Sequence, residues 1–220
     1  LFGALLYLLA NEKINTSNVF TVVGFVLGMF VYLNILRERF RYGDYAYYIE
    51  AATAMLQHKT LPDTYLYLPL WAAILQFIVP FGDQGVLTIL WIINIAALGG
   101  FYFLLQRLLE RYGFSVRFAS VVAVLFILIN APIQRTLGFV QVNLLVIDLI
   151  LLSILNYPRN TLLSALTLTL AVHLKTSPAV LVLVFLLERD WRWLAWFALS
   201  FLVIAFIPVA INGTSPYFDY

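Results

Sequence analysis

Along this chain long apolar runs alternate with short polar stretches. The first clear run is about Val19 to Leu36. Gly85 to Leu105, Phe118 to Ala131 with its flanks, Gln141 to Leu155 and Trp193 to Ile211 follow. Each approaches or reaches the roughly 17–25 residues a helix needs to cross a bilayer. Leu162 to Leu174 and Pro178 to Leu187 read as two short helices about Lys175-Thr176-Ser177-Pro178, or as one kinked hairpin. Between the first two long runs lies a polar, aromatic stretch, 37–67, containing Arg37, Arg39, Arg41, Asp44, Glu50, His58, Lys59 and Asp63. Its middle, Tyr45 to Gln57, spaces Tyr48, Ala51, Ala52 and Met55 at helical intervals, which predicts a short interfacial helix. The segment 68–81 is apolar but bracketed by Pro69 and Pro80, which predicts a short helix that does not span. The expectation is one all-α transmembrane domain over 1–220, a polytopic helical bundle.

Composition sharpens this class. Hydrophobic residues make up 63% and charged residues 11%, against roughly 25% charged in an ordinary soluble domain. A soluble globule of this length lacks the interior volume for so many apolar side chains. The net charge of +2 gives no nucleic-acid footprint. With no cysteine, disulfides, Cys-ligated zinc and iron–sulfur clusters are excluded. Leu1 to Ala10 is too short for a span and lacks the basic start of a signal peptide. Beginning at Leu1 rather than Met and ending at Tyr220, the chain reads as a fragment, or as the ordered part, of something longer.

Basic residues set the expected orientation. Arg107, Arg111 and Arg117, then Arg159, then Arg189 and Arg192 occupy short loops assigned to the cytoplasm. The opposite, extracytoplasmic face then holds the 37–67 loop, the turns at 135–143 and 175–178, and the end at 212–220. Arg37, Arg39 and Arg41 lie on that outer side, against the rule. Asn15-Thr16-Ser17 and Asn212-Gly213-Thr214 match the glycosylation tripeptide, a pattern common by chance. The aromatic load suits an interfacial belt.

On this topology Asp44, Arg135, Gln141, Asn143, His173 and Lys175 gather at one membrane face. Ionisable residues at such depth are functional candidates. Two cations suit a phosphate, and a carboxylate suits proton abstraction from a hydroxyl. Each has a plainer role: Asp44 as a helix N-cap, Arg135 as a headgroup anchor, Gln141 and Asn143 as interhelical hydrogen-bond partners. His173 and Lys175, two residues apart on a helix, face different ways, so Lys175 is the stronger candidate. Asp148 lies deeper, where it packs or pairs with a neighbouring cation. No Gly-rich phosphate loop, metal-spaced His pair or nucleophile elbow is present.

The order of several motifs resembles a known family. Gly43-Asp44-Tyr45-x-x-Tyr48 follows the early span, then Tyr65-Leu66-Tyr67-Leu68-Pro69-Leu70, then Leu90-Trp91-Ile92-Ile93-Asn94. Gly138-Phe139-Val140-Gln141-Val142-Asn143-Leu144-Leu145 and Leu174-Lys175-Thr176-Ser177-Pro178 come later. From about Val19 onward the chain resembles the amino-terminal half of glycosyltransferase family 87, polytopic GT-C enzymes similar to the polyprenol-phosphate-mannose-dependent mannosyltransferases. The resemblance implies that Asp44 is the catalytic base and that Gln141, Asn143, Lys175 and Pro178 line the donor site. Two motifs depart from the family pattern. Tyr-x-Tyr-Pro-Pro is replaced by Tyr65-Leu66-Tyr67-Leu68-Pro69, and Gly-Gln-x-Asn is stretched by Phe139 and Val140.

The leading expectation is an inverting, multi-pass glycosyltransferase of an inner or plasma membrane, working at the extracytoplasmic face. It would move a mannose-like sugar from a polyprenyl-phosphate donor to an acceptor hydroxyl. Asp44 is the base; Lys175 and Arg135 bind the donor phosphate; Gln141, Asn143 and His173 contact donor or acceptor. No metal or other cofactor is required. Expected partners are the lipid-linked donor and membrane lipids, with other membrane subunits as a further option. The alternative is a non-catalytic transmembrane subunit of a larger complex. A transporter would need paired broken helices in matching halves, which the sequence lacks.

Overall fold

The computed structural model describes residues 44–213. The expected span at Val19–Leu36, Arg37, Arg39 and Arg41, and the Asn15 tripeptide lie outside the described residues. The described chain runs α1 (Tyr45–Leu56), α2 (Pro69–Leu75), a 3-10 turn (Val79–Phe81), α3 (Gly82–Arg111), α4 (Val116–Ile129), α5 (Ala131–Gly138), α6 (Asn143–Asn156) and α7 (Thr161–Leu174). A second 3-10 turn (Ser177–Leu181), α8 (Val182–Leu187) and α9 (Trp191–Asn212) complete it. No strand occurs among the described residues. Val79–Arg111 and Trp191–Asn212 are each long and apolar enough to cross a membrane. α4 and α5 together make a third candidate, bent by 59°.

Local chemistry sets the helix boundaries. Ser115, Asn130, Asn160 and Asp190 each accept a hydrogen bond from a backbone N–H of the helix they open, at α4, α5, α7 and α9 respectively. The expected turn around 135–143 is in part the helix α5. Asn130-Ala131-Pro132 ends one helix and starts the next, because Asn caps well and Pro suits the first turn, where no N–H is needed. α3 outlasts its apolar run because Gln106, Arg107, Glu110 and Arg111 are good helix formers.

α7 packs between α6 and α9, while α3 packs against α4 and α6. Small residues, Ser164, Ala165 and Ala171, let the backbones of α6, α7 and α9 approach. Buried polar groups lock this contact. Ser153 Oγ donates to the Ser164 carbonyl at 2.8 Å, and Trp193 Nε1 donates to Ser164 Oγ at 2.9 Å. At the end of α6 the Arg111 guanidinium donates to the carbonyls of Ile154, Leu155 and Tyr157. These are orphan carbonyls of a helix terminus, where a cation is favoured.

α1 and α2 pack on each other, and α2 also packs on α9. α1 buries Tyr48, Ala51, Ala52 and Met55. Gln76 and Asn212 exchange amide hydrogen bonds at 3.0 and 2.9 Å, and Asn212 also donates to the Met55 carbonyl. The Asn212 amide of the second glycosylation tripeptide is thus spent on internal contacts.

Asp148 on α6 is buried against α3, and its Oδ1 has no hydrogen-bond partner among the described residues. A Cβ on Gly100 would stand 2.5 Å from Asp148 Oδ2. Gly100→Ala therefore displaces the Asp148 carboxylate from its place against α3 and destabilises the bundle by about 1 kcal/mol, net of alanine's better helix propensity. Unfolding in detergent measures it. Asp148→Ala in the same chain restores most of the loss; equal stability of Gly100→Ala and the parent chain refutes the tight contact.

Candidate active site

Four side chains from three separate segments form one continuous hydrogen-bonded chain. Lys175 Nζ donates to Asn143 Oδ1 at 2.7 Å. Asn143 Nδ2 donates to Gln141 Oε1 at 2.7 Å, and Gln141 Nε2 donates to Asp44 Oδ2 at 2.7 Å. The direction is chemically fixed. An ammonium only donates and a carboxylate only accepts, so both amides must point the same way. Opposite charges at the two ends polarise every bond between them in one sense.

Each member is aimed by its local backbone. Asp44 precedes α1, but its side chain does not cap that helix; the carboxylate turns instead to Gln141 and, at 3.5 Å, to the Tyr67 hydroxyl. The plain capping role for Asp44 is therefore not the one adopted. Gln141 follows a Schellman-type end to α5. Its N–H bonds the Thr136 carbonyl at 2.9 Å and the Val140 N–H bonds the Leu137 carbonyl at 3.4 Å. Val140 takes the left-handed position of this motif, with φ of 54°. A β-branched residue is strained there, by roughly 1–3 kcal/mol. Its side chain is buried in the core beside α1 and α2, which holds the turn in place. The family pattern noted above has glycine directly before its glutamine, where no such strain arises.

Asn143 opens α6 and is further fixed by Thr136 Oγ1 at 3.3 Å. Lys175 ends α7 in an extended conformation, so its side chain leaves the helix axis toward Asn143. Its charge also complements the carboxyl end of the helix dipole. Lys175, Asn143, Gln141 and Arg135 line one cavity of about 1060 Å³. Arg135 lies over the Phe139 ring, 5.3 Å from its centre. Beyond this polar end the cavity is walled by Phe101, Phe126, Ile147, Ile150, Val180 and Leu181. Asp44 stands behind Gln141 rather than in this wall.

His173 is not brought to this group. It is fully buried, its ring is 4.5 Å from that of Phe201, and its Nε2 lies 3.2 Å from the Phe201 carbonyl. Two residues along α7 turn it by roughly 200° from Lys175, toward α9. Thr136 and Tyr67, in contrast, join the cluster without having been singled out as site residues. A second donor series also reaches Asp44. Tyr48, fully buried, accepts from the Val142 N–H at 3.4 Å and is hydrogen-bonded to Tyr67. Burial raises the pKa of both phenols above the ordinary tyrosine value, and the Asp44 charge adds to this. Both therefore stay protonated hydrogen-bond donors at neutral pH.

The sequence profile of glycosyltransferase family 87 matches residues 65–220. The chain belongs to glycosyltransferase family 87. No curated protein and no solved structure gives a significant match. Family 87 makes this protein a membrane glycosyltransferase, in keeping with its long apolar helices. The matched segment contains Arg135, Gln141, Asn143, Lys175 and Pro178. Asp44 precedes it and is joined to it through Gln141 and Tyr67.

Proposed function

We propose that this family-87 chain transfers a mannose-like sugar from a polyprenyl-phosphate donor to an acceptor hydroxyl at the extracytoplasmic face, with inversion. The observation that carries the reading is the chain from Lys175 through Asn143 and Gln141 to Asp44. Its Lys175, Asn143 and Gln141 form the polar end of a cavity whose remaining walls are apolar, with Asp44 held behind Gln141. Such a cavity suits a lipid-linked phosphate: apolar walls for the prenyl tail, Lys175 and Arg135 for the phosphate. A sugar laid along this polar end meets the two amides, and the carboxylate stands just beyond Gln141. As the acceptor oxygen attacks the anomeric carbon, Asp44 takes its proton and the bond to phosphate oxygen breaks. The electron pair leaves with the lipid phosphate, whose growing charge Lys175 and Arg135 stabilise. Attack from the side opposite the phosphate inverts the anomeric centre.

The sidedness rests on basic residues. Arg111 binds the carbonyls at the far end of α6 from Asn143, so the Arg-rich ends and the polar chain lie at opposite ends of that helix. The basic end is the cytoplasmic one on the positive-inside rule. In the same reading α1 lies in the interface and 68–81 does not cross the bilayer.

The test uses purified protein in sealed vesicles of known orientation with labelled polyprenyl-phosphate mannose and a soluble hydroxyl acceptor. Transfer is expected only where the Asp44 side faces the acceptor. Transfer on the Arg111 side overturns the assigned face. Absence of transfer from any polyprenyl-phosphate sugar, with the protein folded, makes the chain a non-catalytic membrane subunit.

A further inference from the structure

The tyrosines of the Tyr65-Leu66-Tyr67 stretch and of α1 have no role in the mechanism above, yet two of them converge on its carboxylate. Alternate residues of the stretch divide the work. Tyr65 accepts from the Ala72 N–H at 3.1 Å and so ties the stretch to α2. Tyr67, its ring 5.5 Å from those of Tyr48 and Tyr65, sends its hydroxyl to Asp44 Oδ2. Gln141 donates to the same oxygen. Among the described residues no hydrogen bond falls on Oδ1.

Donor direction is consistent along this second path. The Val142 N–H donates to Tyr48, Tyr48 to Tyr67, and Tyr67 to the carboxylate. The contacts at its two ends are long, 3.4 and 3.5 Å, and mutual polarisation along the series favours the last one. It offers no route for a proton to leave: Tyr48 is fully buried and its other neighbour is a backbone donor. The path therefore orients the carboxylate rather than draining it. Both paths pass through the same turn, Gln141 and Val142, which the buried Val140 holds.

We propose that Tyr67, backed by Tyr48, is a positioning residue that with Gln141 grips Asp44 by Oδ2 and leaves Oδ1 to take the acceptor's proton. The inference rests on Asp44 being the base. In the transfer step the acceptor O–H bond breaks and its proton passes to Oδ1. The acceptor oxygen bonds to the anomeric carbon, and the phosphate leaves with the electron pair of the broken bond.

Tyr67→Phe tests it, because it removes only the hydroxyl and keeps the ring contacts. The expected result is a fall in kcat of about tenfold, as for loss of one hydrogen bond to a charged group. The KM for the polyprenyl-phosphate donor and the unfolding midpoint stay unchanged. In an Asp44→Asn background the same change costs nothing further in residual rate, since both act through one group. Unchanged kcat overturns the proposal. So does a parallel loss of donor affinity and stability, which marks a structural tyrosine, or an equal loss in both backgrounds. Asp44→Asn measured alone separates the two levels: if it retains activity, the assignment of the base fails, whatever Tyr67 does.

Discussion

Asp44→Asn lowers sugar transfer by about 10²–10⁴ while leaving the fold and donor binding nearly intact. Asparagine has the shape of aspartate, and its side-chain oxygen can still accept from the Gln141 amide. The chain from Lys175 therefore keeps its geometry and only the proton-accepting power is lost. The substitution costs no helix cap, because Asp44 does not cap α1 through its side chain. Steady-state transfer rates, donor binding and thermal unfolding, measured on one preparation, check all three parts. A variant that keeps more than about a tenth of the parental rate, outside the range for loss of a general base, makes Asp44 a structural partner of Gln141.

Lys175→Ala acts on both binding and turnover. It removes a cation from the polar end of the cavity and strips Asn143 Oδ1 of its donor. The donor phosphate loses an ion partner in the ground state, and the departing phosphate loses it again as charge develops. The expected outcome is a raised KM for the lipid donor and a loss of kcat/KM of about 10²–10³, the scale of one electrostatic contact to developing charge. If donor KM stays constant and only the unfolding midpoint falls, Lys175 serves Asn143 and not the phosphate.

Helix positions were largely legible in the sequence, because bilayer-length apolar runs and Asn, Ser or Asp caps act locally. The buried face of α1, Tyr48, Ala51, Ala52 and Met55, follows directly from helical spacing. α5 was hidden because Pro132 reads equally well as the stop of one helix and the first turn of another. The separation of His173 from Lys175 follows from helical geometry, although both stood among the candidates. The order of the polar chain was out of reach. Gln141 and Asp44 are 97 residues apart and Lys175 and Asn143 are 32 apart, so only the packed bundle determines which amide meets which charge. Tyr67 was visible as part of a family pattern but carried no chemistry until its hydroxyl was placed beside Asp44.

The helices that carry the polar chain are short. α6 and α7 have 14 residues each, about 21 Å at 1.5 Å per residue. A typical hydrocarbon layer is about 30 Å thick, which α9 with 22 residues matches at about 33 Å. Tilt cannot close the gap, since it shortens the span further. In the reading proposed above, with α6 and α7 upright in the layer, the ends bearing Asn143 and Lys175 sit below the surrounding headgroups or the bilayer beside them thins, and bilayer thickness becomes a variable of the reaction.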